Sequence, residues 1–283
     1  MNQISSKTTI GSIALAISDM ERSLNYYLNQ LGFRLHDQTN KTTRLGTNEH
    51  ELLLLEERPG SSKKDPTTGL YHMAIRVPNR DALSNTLYRL VETAVPFQGF
   101  ADHGVSEAIY LEDPDGNGIE IYRDRPIKDW PMKDGQLEMI TDPLNVESLL
   151  ASADPNSQSA EKLPEGTTIG HIHLKVSHMS IAVSFYRDIL GFALTQRYGP
   201  SAAFFSTGGY HHHIGINTWT SAGAPPPPPN TTGLQWYSID IPNEDNFQEL
   251  IQRISDAKIP LQESDFGLFV QDPSNNKILL KGG

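Results

Sequence analysis

An internal repeat constrains the fold of this chain more than any other feature of its sequence. The segment "IGSIALAISDMERSLNYYLNQLGF" at 10–33 aligns without a gap with "IGHIHLKVSHMSIAVSFYRDILGF" at 169–192. Each segment predicts a β-strand, a short turn and an amphipathic helix, followed by a Leu-Gly-Phe exit in which the glycine suits a helix C-cap. The chain is therefore built from copies of one supersecondary unit.

A second, weaker repeat relates residues 70–97 to residues 234–261. Both segments predict a strand, a Pro-Asn turn and a helix, and each continues to a closing strand announced by a turn, "DPDGNG" or "DPSNN". The two repeats together predict an α+β chain of four βαβββ modules. We number these modules one to four, at 9–57, 69–123, 168–218 and 232–281.

The modules divide the chain into an N-terminal half, 1–125, and a C-terminal half, 167–283. Residues 126–166, rich in Pro, Asp and Ser, predict a linker with one short helix at 145–152. The low-complexity segment "SAGAPPPPPNTTG" between modules three and four predicts an exposed polyproline loop.

Composition limits the classes of function. The 283 residues, 37% hydrophobic and 20% charged, are typical of a soluble globular chain. With no Cys, a metal would have to be held by His and carboxylate side chains. The net charge of −11 makes nucleic acid and anionic membrane surfaces poor partners. We find no targeting signal and no apolar run near the ~18 residues of a membrane span, and therefore expect a cytoplasmic protein.

The four modules and the closing pattern "DPDGNGIE" resemble the vicinal oxygen chelate superfamily, which includes glyoxalase I, bleomycin-resistance proteins and extradiol dioxygenases. The resemblance covers nearly the whole chain. The stretches "GLYHMAIRVP", "DHGVSEAIYLEDPDGNGIEIY" and "GGYHHHIGIN" are similar to bacterial catechol-2,3-dioxygenases of the four-module kind. The resemblance implies that modules pair into half-open mixed β-barrels, and that a divalent metal inside a barrel takes its ligands from the first and closing strands.

The ligand positions implied by the resemblance decide how the modules should pair. They are Ser12, His72, His171 and Trp236 on the first strands, and Glu120 and Leu279 on the closing strands. Pairing the modules in sequence order leaves both barrels without a complete site. Pairing two with three, and one with four, places His72, His171 and Glu120 in one barrel. This set is a 2-His-1-carboxylate triad with positions open for substrate and O₂.

The run His211, His212 and His213 is the next candidate feature. In extradiol dioxygenases a histidine near this position acts as acid/base beside the substrate, whereas glyoxalase I uses the closing strand to supply a fourth ligand, a glutamate. A histidine here stands where that glutamate is expected, which favours the dioxygenase. The family's His-His pattern points to His212 and strand parity with Gly215 points to His213, so the sequence leaves both open.

Three further residues are predicted to lie in the same barrel. His103 resembles a pocket histidine that hydrogen-bonds a ring oxygen of the substrate, and Tyr110 resembles the family's pocket tyrosine. His173 lies two residues beyond His171 in a predicted strand, and so shares its face. We interpret His173 as a pocket-lining or structural residue rather than a ligand.

The resemblance implies an oxidoreductase of aromatic degradation, an extradiol ring-cleaving dioxygenase that acts on catechol-like or hydroquinone-like substrates with Fe(II) and O₂. Mn(II), Zn(II) and Ni(II) are alternative metals. Two other functions stay open: a glyoxalase-like metal-dependent isomerase or lyase, and a metal-free binder of the bleomycin-resistance type. The expected partners are a small aromatic substrate and O₂. Members of this superfamily are often dimeric or larger, so a homo-oligomer is a further expectation.

Overall fold

The computed structural model describes residues 3–157 and 161–283 and shows one strand, one helix and three further strands in every module. Modules one and two contain β1 (Thr9–Ile17), β2 (Arg34–Gln38), β3 (Thr42–Gly46), β4 (Glu51–Glu57), β5 (Gly69–Arg76), β6 (Phe97–Asp102), β7 (Ser106–Glu112) and β8 (Gly118–Asp124). A small hairpin follows, β9 (Met132–Lys133) and β10 (Gln136–Leu137). Modules three and four contain β11 (Thr168–Lys175), β12 (Ala193–Tyr198), β13 (Ala202–Ser206), β14 (Ile214–Asn217), β15 (Gly233–Ile241), β16 (Gln262–Ser264), β17 (Gly267–Gln271) and β18 (Lys277–Gly282).

The helices begin and end at the signals that the sequence predicts. They are α1 (Met20–Leu24), continued by a π-helical turn (Asn25–Gln30), α2 (Arg80–Glu92), α3 (Val146–Leu150), α4 (Met179–Ser184), continued by a π-helical turn (Phe185–Ile189), and α5 (Glu244–Asp256). The asparagines of the two Pro-Asn turns, Asn79 and Asn243, cap α2 and α5 by accepting hydrogen bonds from backbone N–H groups. Gly32 and Gly191, in the Leu-Gly-Phe exits, have φ of 83° and 88°. Across the described chain, no helix has both the length and the apolarity needed to cross a bilayer.

The strands form two eight-stranded sheets, and each sheet joins one module from the first half of the sequence to one from the second. The first runs β12-β13-β14-β11-β5-β8-β7-β6 and the second β16-β17-β18-β15-β1-β4-β3-β2. The first strands of the paired modules meet antiparallel at the centre of each sheet, β5 with β11 and β1 with β15. The predicted α+β fold, with modules paired two with three and one with four, is confirmed. The division into halves at 125 and 167 stays a prediction.

Two equivalent hydrogen bonds tie the helices of modules one and three to the closing turns of modules two and four. The hydroxyl of Tyr27 donates to Asp113 at 2.8 Å, and that of Tyr186 donates to Asp272 at 2.8 Å. Both carboxyl groups are buried. Because these bonds join a module of one sheet to a module of the other, they help hold the two barrels in a fixed relation.

The segment between modules two and three packs against the sheets. Its side chains Trp130, Leu144, Leu149 and Leu163 are buried. The backbones of Asp102 and Asp142 also exchange hydrogen bonds of 2.8 and 2.9 Å, which attaches the segment to the end of β6. In contrast, the polyproline run at 225–229 is exposed, as predicted.

Candidate metal centre and cavity

Three predicted ligand residues converge on the concave face of the first sheet. The Nε2 atoms of His72 and His171 lie 3.4 Å apart, and the Oε2 atom of Glu120 lies 3.1 Å from the first and 3.2 Å from the second. Ala74 pairs directly with Glu120 on one side and with His171 on the other. Since Ala74 carries only a methyl group, the space between the three donor atoms stays free.

The triangle of donor atoms fits a divalent metal ion. Ligands at right angles around an ion, each at about 2.1 Å, lie about 3.0 Å from one another, close to the three separations found here. All three side chains are buried, and each offers a ligand atom of a type that Fe(II) and Mn(II) accept. Within residues 3–157 and 161–283, this is the one cluster of three or more His, Asp or Glu residues with such geometry.

The charge states of the site also suit a metal. Burial lowers the pKa of His171 to about 4, so its imidazole is neutral at pH 7. Burial opposes ionisation of Glu120, but the adjacent imidazoles of His171 and His72 outweigh it and hold the pKa of the carboxyl well below its usual range. Neutral imidazole and ionised carboxylate are the forms that coordinate metals.

The second ring nitrogen of His171, Nδ1, is buried and has no hydrogen-bond partner in the described part of the chain. Metal-binding histidines usually have a polar partner at this atom. Here the ring is held instead by packing, against Tyr122 at 5.0 Å and His212 at 4.1 Å between ring centroids. The orientation of His171 therefore depends on its aromatic neighbours.

A cavity of about 450 Å³ opens from the three ligand residues. Its walls are mainly apolar and aromatic, formed by Tyr71, Val105, Met139, Ile140, Phe204 and Trp219. A cavity of this size and lining suits a small apolar or aromatic molecule with a few polar atoms. Its polar lining includes the three ligand residues together with His103, Tyr110, His173 and His212.

The structure brings His212, and not His213, to this cavity. His212 lines the cavity, and its ring lies against that of His171 at an angle of 50°. His213 turns away, with its Nδ1 atom 3.0 Å from the hydroxyl of Ser206 and its ring against Tyr210. Burial and the nearby His171 lower the pKa of His212 well below its usual value, so this imidazole is neutral at pH 7.

The strand register corrects one sequence interpretation, because no histidine occupies the closing-strand ligand position of module three. In module two, β5 and β8 pair Ala74 with Glu120, and in module three the equivalent pairing joins His173 to Gly215. Gly215 has no donor side chain, and a Cβ atom there would lie 3.0 Å from Cγ of His173. The position that would supply a fourth ligand is therefore filled by the ring of His173.

His103 and Tyr110 form a hydrogen-bonded pair on the cavity wall. The Nδ1 atom of His103 lies 2.8 Å from the carbonyl oxygen of Ile140, so it carries the proton, and Nε2 accepts from the Tyr110 hydroxyl at 2.7 Å. Burial and the nearby Glu120 carboxylate raise the pKa of Tyr110 well above its usual range. Tyr110 therefore stays a neutral phenol that can share hydrogen bonds but does not act as a base at pH 7.

His173 lines the cavity without joining the three-residue cluster. Its Nε2 atom accepts a hydrogen bond from the side-chain amide of Asn217 at 3.0 Å. Its ring contacts those of Tyr71 and Trp219. The interpretation of His173 as a pocket-lining residue matches this position.

Sequence reasoning named none of the apolar and aromatic wall residues, and two parts of the wall show why. Tyr71 is adjacent to His72, so strict alternation would send it to the opposite face, but the register of β5 with β11 slips at this point and leaves Tyr71 out of the pairing. The other part is segment 139–141, from the predicted linker. The side chain of Gln196 holds this segment by accepting from the N–H of Met139 at 3.0 Å and donating to its carbonyl at 3.3 Å. Neither feature has a local sequence signal.

Comparison with known proteins agrees with the fold described above. A family model described as the Glyoxalase/Bleomycin resistance protein/Dioxygenase superfamily matches residues 9–121 and 168–280. These ranges are most of the chain, and the protein belongs to this superfamily. A catechol-2,3-dioxygenase of Bacillus subtilis (strain 168) is 41% identical over 278 residues, which are 96% of either chain.

Solved structures of more distant proteins share the fold. Glyoxalase I from Zea mays has a TM-score of 0.59 and 14% identity, with 97% of this chain and 92% of the other covered. The cppA protein from Streptococcus pneumoniae TIGR4 has a TM-score of 0.57 and 14% identity, with 100% and 99% covered. At these identities, the likeness concerns the fold alone.

Proposed function

We propose that this protein is an extradiol ring-cleaving dioxygenase, in which His72, His171 and Glu120 hold Fe(II) and the adjoining cavity binds a catechol-like aromatic diol. The proposal refines a coarser conclusion, that the chain is an oxidoreductase of the dioxygenase type. The 41% identity to a catechol-2,3-dioxygenase over nearly the full length supports that conclusion. The observation that carries the proposal is a triangle of three buried donor atoms that line a largely apolar cavity, with no fourth ligand residue in the described part of the chain.

The three ligand residues have distinct tasks. His72 and His171 supply neutral nitrogen donors, and Glu120 supplies the one negative charge that a divalent cation needs nearby. Bound Fe(II) would supply one-electron chemistry that lets O₂, a triplet, react with a closed-shell diol. Because Gly215 offers no donor, the protein leaves room for the two oxygens of the diol and for O₂.

The other polar residues of the cavity manage protons and orientation. His212, neutral and beside His171, takes the proton that the diol loses on binding and can return it as the ring opens. The hydroxyl of Tyr110, already bonded to His103, is placed to share a hydrogen bond with a ring oxygen of the substrate. The aromatic walls contact the ring faces and exclude water from the reacting atoms.

The diol and O₂ together account for all the atoms and electrons of the proposed reaction. One ring C–C bond beside the two hydroxyl-bearing carbons breaks, and both atoms of O₂ enter the product, a hydroxymuconic semialdehyde. No further reductant is needed, because the aromatic diol supplies the electrons. The product is yellow, so ring opening can be followed by eye and by absorbance.

The direct test is to load the protein with Fe(II) without air, then add catechol or a substituted catechol and admit air. A yellow product that takes up one O₂ per diol supports the proposal. Absence of O₂ uptake with Fe(II) and with Mn(II), across catechols and hydroquinones, would overturn it. Isomerase activity on a thiohemiacetal with Zn(II) or Ni(II) would favour a glyoxalase-like enzyme instead.

A pair of adjacent variants tests the acid/base residue. His212→Phe keeps an aromatic ring against His171 and should preserve metal content while lowering kcat by about 10²-fold or more. His213→Phe should change kcat much less, since His213 faces away from the cavity. Equal rates in both variants and the wild type would remove His212 from the mechanism.

A further inference from the structure

A chain of hydrogen bonds leads from the cavity to the end of strand β8. The Nδ1 atoms of His212 and His211 lie 2.8 Å apart, and the Nε2 atom of His211 lies 3.0 Å from Oδ1 of Asp124. His211 is fully buried. Asp124 ends strand β8 in module two, whereas the two histidines precede β14 in module three. These hydrogen bonds therefore connect the two paired modules.

The chemistry of these groups determines where the protons lie. A carboxylate only accepts hydrogen bonds, so the Nε2 atom of His211 must carry a proton. With one proton on each of the two rings, Nδ1 of His211 is left as an acceptor. Because His212 Nδ1 faces that acceptor, it must be the donor. In neutral His212 the remaining ring nitrogen, Nε2, then holds a lone pair.

Other groups fix the far end of the chain. The hydroxyl of Tyr210 donates to the Asp124 carboxylate at 3.1 Å, and the guanidinium of Arg76 lies 3.4 Å from it. The ring of His211 packs against those of Tyr210, at 4.0 Å, and Trp130, at 5.4 Å between centroids. These contacts hold the carboxylate and the imidazole in place on both sides of their hydrogen bond.

We propose that His211 and Asp124 are positioning residues that hold His212 in its Nδ1–H tautomer and so leave Nε2 as the proton acceptor for the substrate. This inference rests on the proposed function only for its kinetic consequence. The tautomer itself is argued from the hydrogen-bond geometry of two rings that carry one proton each. A His212 in the other tautomer would present an N–H to the substrate and could not take its proton.

The test is nitrogen NMR of the full-length chain labelled with ¹⁵N-histidine, in which long-range ¹H–¹⁵N couplings identify the protonated ring nitrogen. The His212 signals are assigned by their absence from the His212→Phe spectrum. We expect the Nδ1–H tautomer in the wild type. In His211→Phe, which removes the acceptor, we expect loss of that preference, whereas in His213→Phe, a change in the same run, we expect it to persist.

Kinetics of the Fe(II)-loaded variants provide the second measurement. His211→Phe should lower kcat about tenfold or more while KM changes much less, because the substrate still fits but the base is wrongly protonated. His211→Gln, whose carbonyl oxygen can accept from His212, should recover part of the rate. Metal content should stay at the wild-type level in both variants.

The outcomes separate this inference from the proposed function. An Nε2–H tautomer of His212 in the wild type, or an unchanged tautomer in His211→Phe, would overturn the inference even if ring cleavage is observed. Absence of ring cleavage by the wild type would overturn the proposed function, while the NMR result would still decide the tautomer.

Discussion

Removing the single negative charge from the candidate metal centre should abolish the stabilisation that a metal gives to this protein. The variant Glu120→Gln keeps the size and polarity of the side chain but has no charge and one acceptor oxygen fewer. Glu120 lies 3.1 and 3.2 Å from the two imidazole nitrogens and is buried, so water cannot replace the lost carboxylate. We therefore expect the affinity for Fe(II) or Mn(II) to fall by at least about 100-fold.

The expected effect on thermal stability follows from linkage. A metal that binds only the folded chain at about 100 times its dissociation constant stabilises it by about 2.7 kcal/mol. Unfolding of 283 residues, at about 2.1 cal/mol/K per residue, has an entropy near 0.6 kcal/mol/K, so Tm should rise by about 4 to 5 °C. After a 100-fold loss of affinity, the same metal concentration gives about 0.4 kcal/mol and a rise below about 1 °C.

The assay is differential scanning calorimetry without air, with each variant measured with and without metal, so that any change in the metal-free Tm cancels. The matched control is Ser12→Ala. Ser12 occupies in module one the repeat position that His171 occupies in module three, but it lies in the second sheet. We expect Ser12→Ala to retain the full rise in Tm. A full metal-dependent rise in Glu120→Gln, with one equivalent of metal still bound, would refute the assignment of this carboxylate.

Three further predictions concern the rest of the molecule. Metal analysis should give one equivalent per chain, and two equivalents that are both needed for activity would contradict a single site in the first sheet. Gln196→Ala removes both side-chain hydrogen bonds to Met139. Amide hydrogen exchange in 139–142 should therefore accelerate, and KM should rise more than kcat falls. Unchanged exchange would show that this glutamine does not hold the segment. Tyr186→Phe removes one hydrogen bond from the buried Asp272 carboxyl. In urea titrations this variant should lower the free energy of unfolding by about 1–2 kcal/mol. An unchanged free energy would show that the Tyr186–Asp272 hydrogen bond does not stabilise the fold.

Local sequence patterns were sufficient to predict the modules and their elements. Strand alternation, helix periodicity, the Pro-Asn turns and the exit glycines depend on neighbours a few residues apart, which the sequence shows directly. The family resemblance then placed His72, His171 and Glu120 at ligand positions, and the modules that carry them predicted which modules would pair. The structure confirms that pairing, although the roles of these residues stay a proposal.

The details of the cavity depend on contacts between residues far apart in the chain. The run 211–213 precedes β14, so strand parity could not decide between His212 and His213. Likewise, Gly215 reaches the closing-strand ligand position only through the register of β11 with β14, and Tyr71 reaches the cavity only because β5 slips against β11.

The position of the segment after module two, and the partner of His211, also could not be predicted from local sequence. Residues 139–141 become a cavity wall through bonds to β12 and to the end of β6, and Asp124 meets His211 across two modules. The sequence determined which local units exist and which side chains each could offer. The tertiary structure decided which of them meet, because strand register, slips in pairing and docking of irregular segments are set by hydrogen bonds and packing between units that local periodicity does not connect.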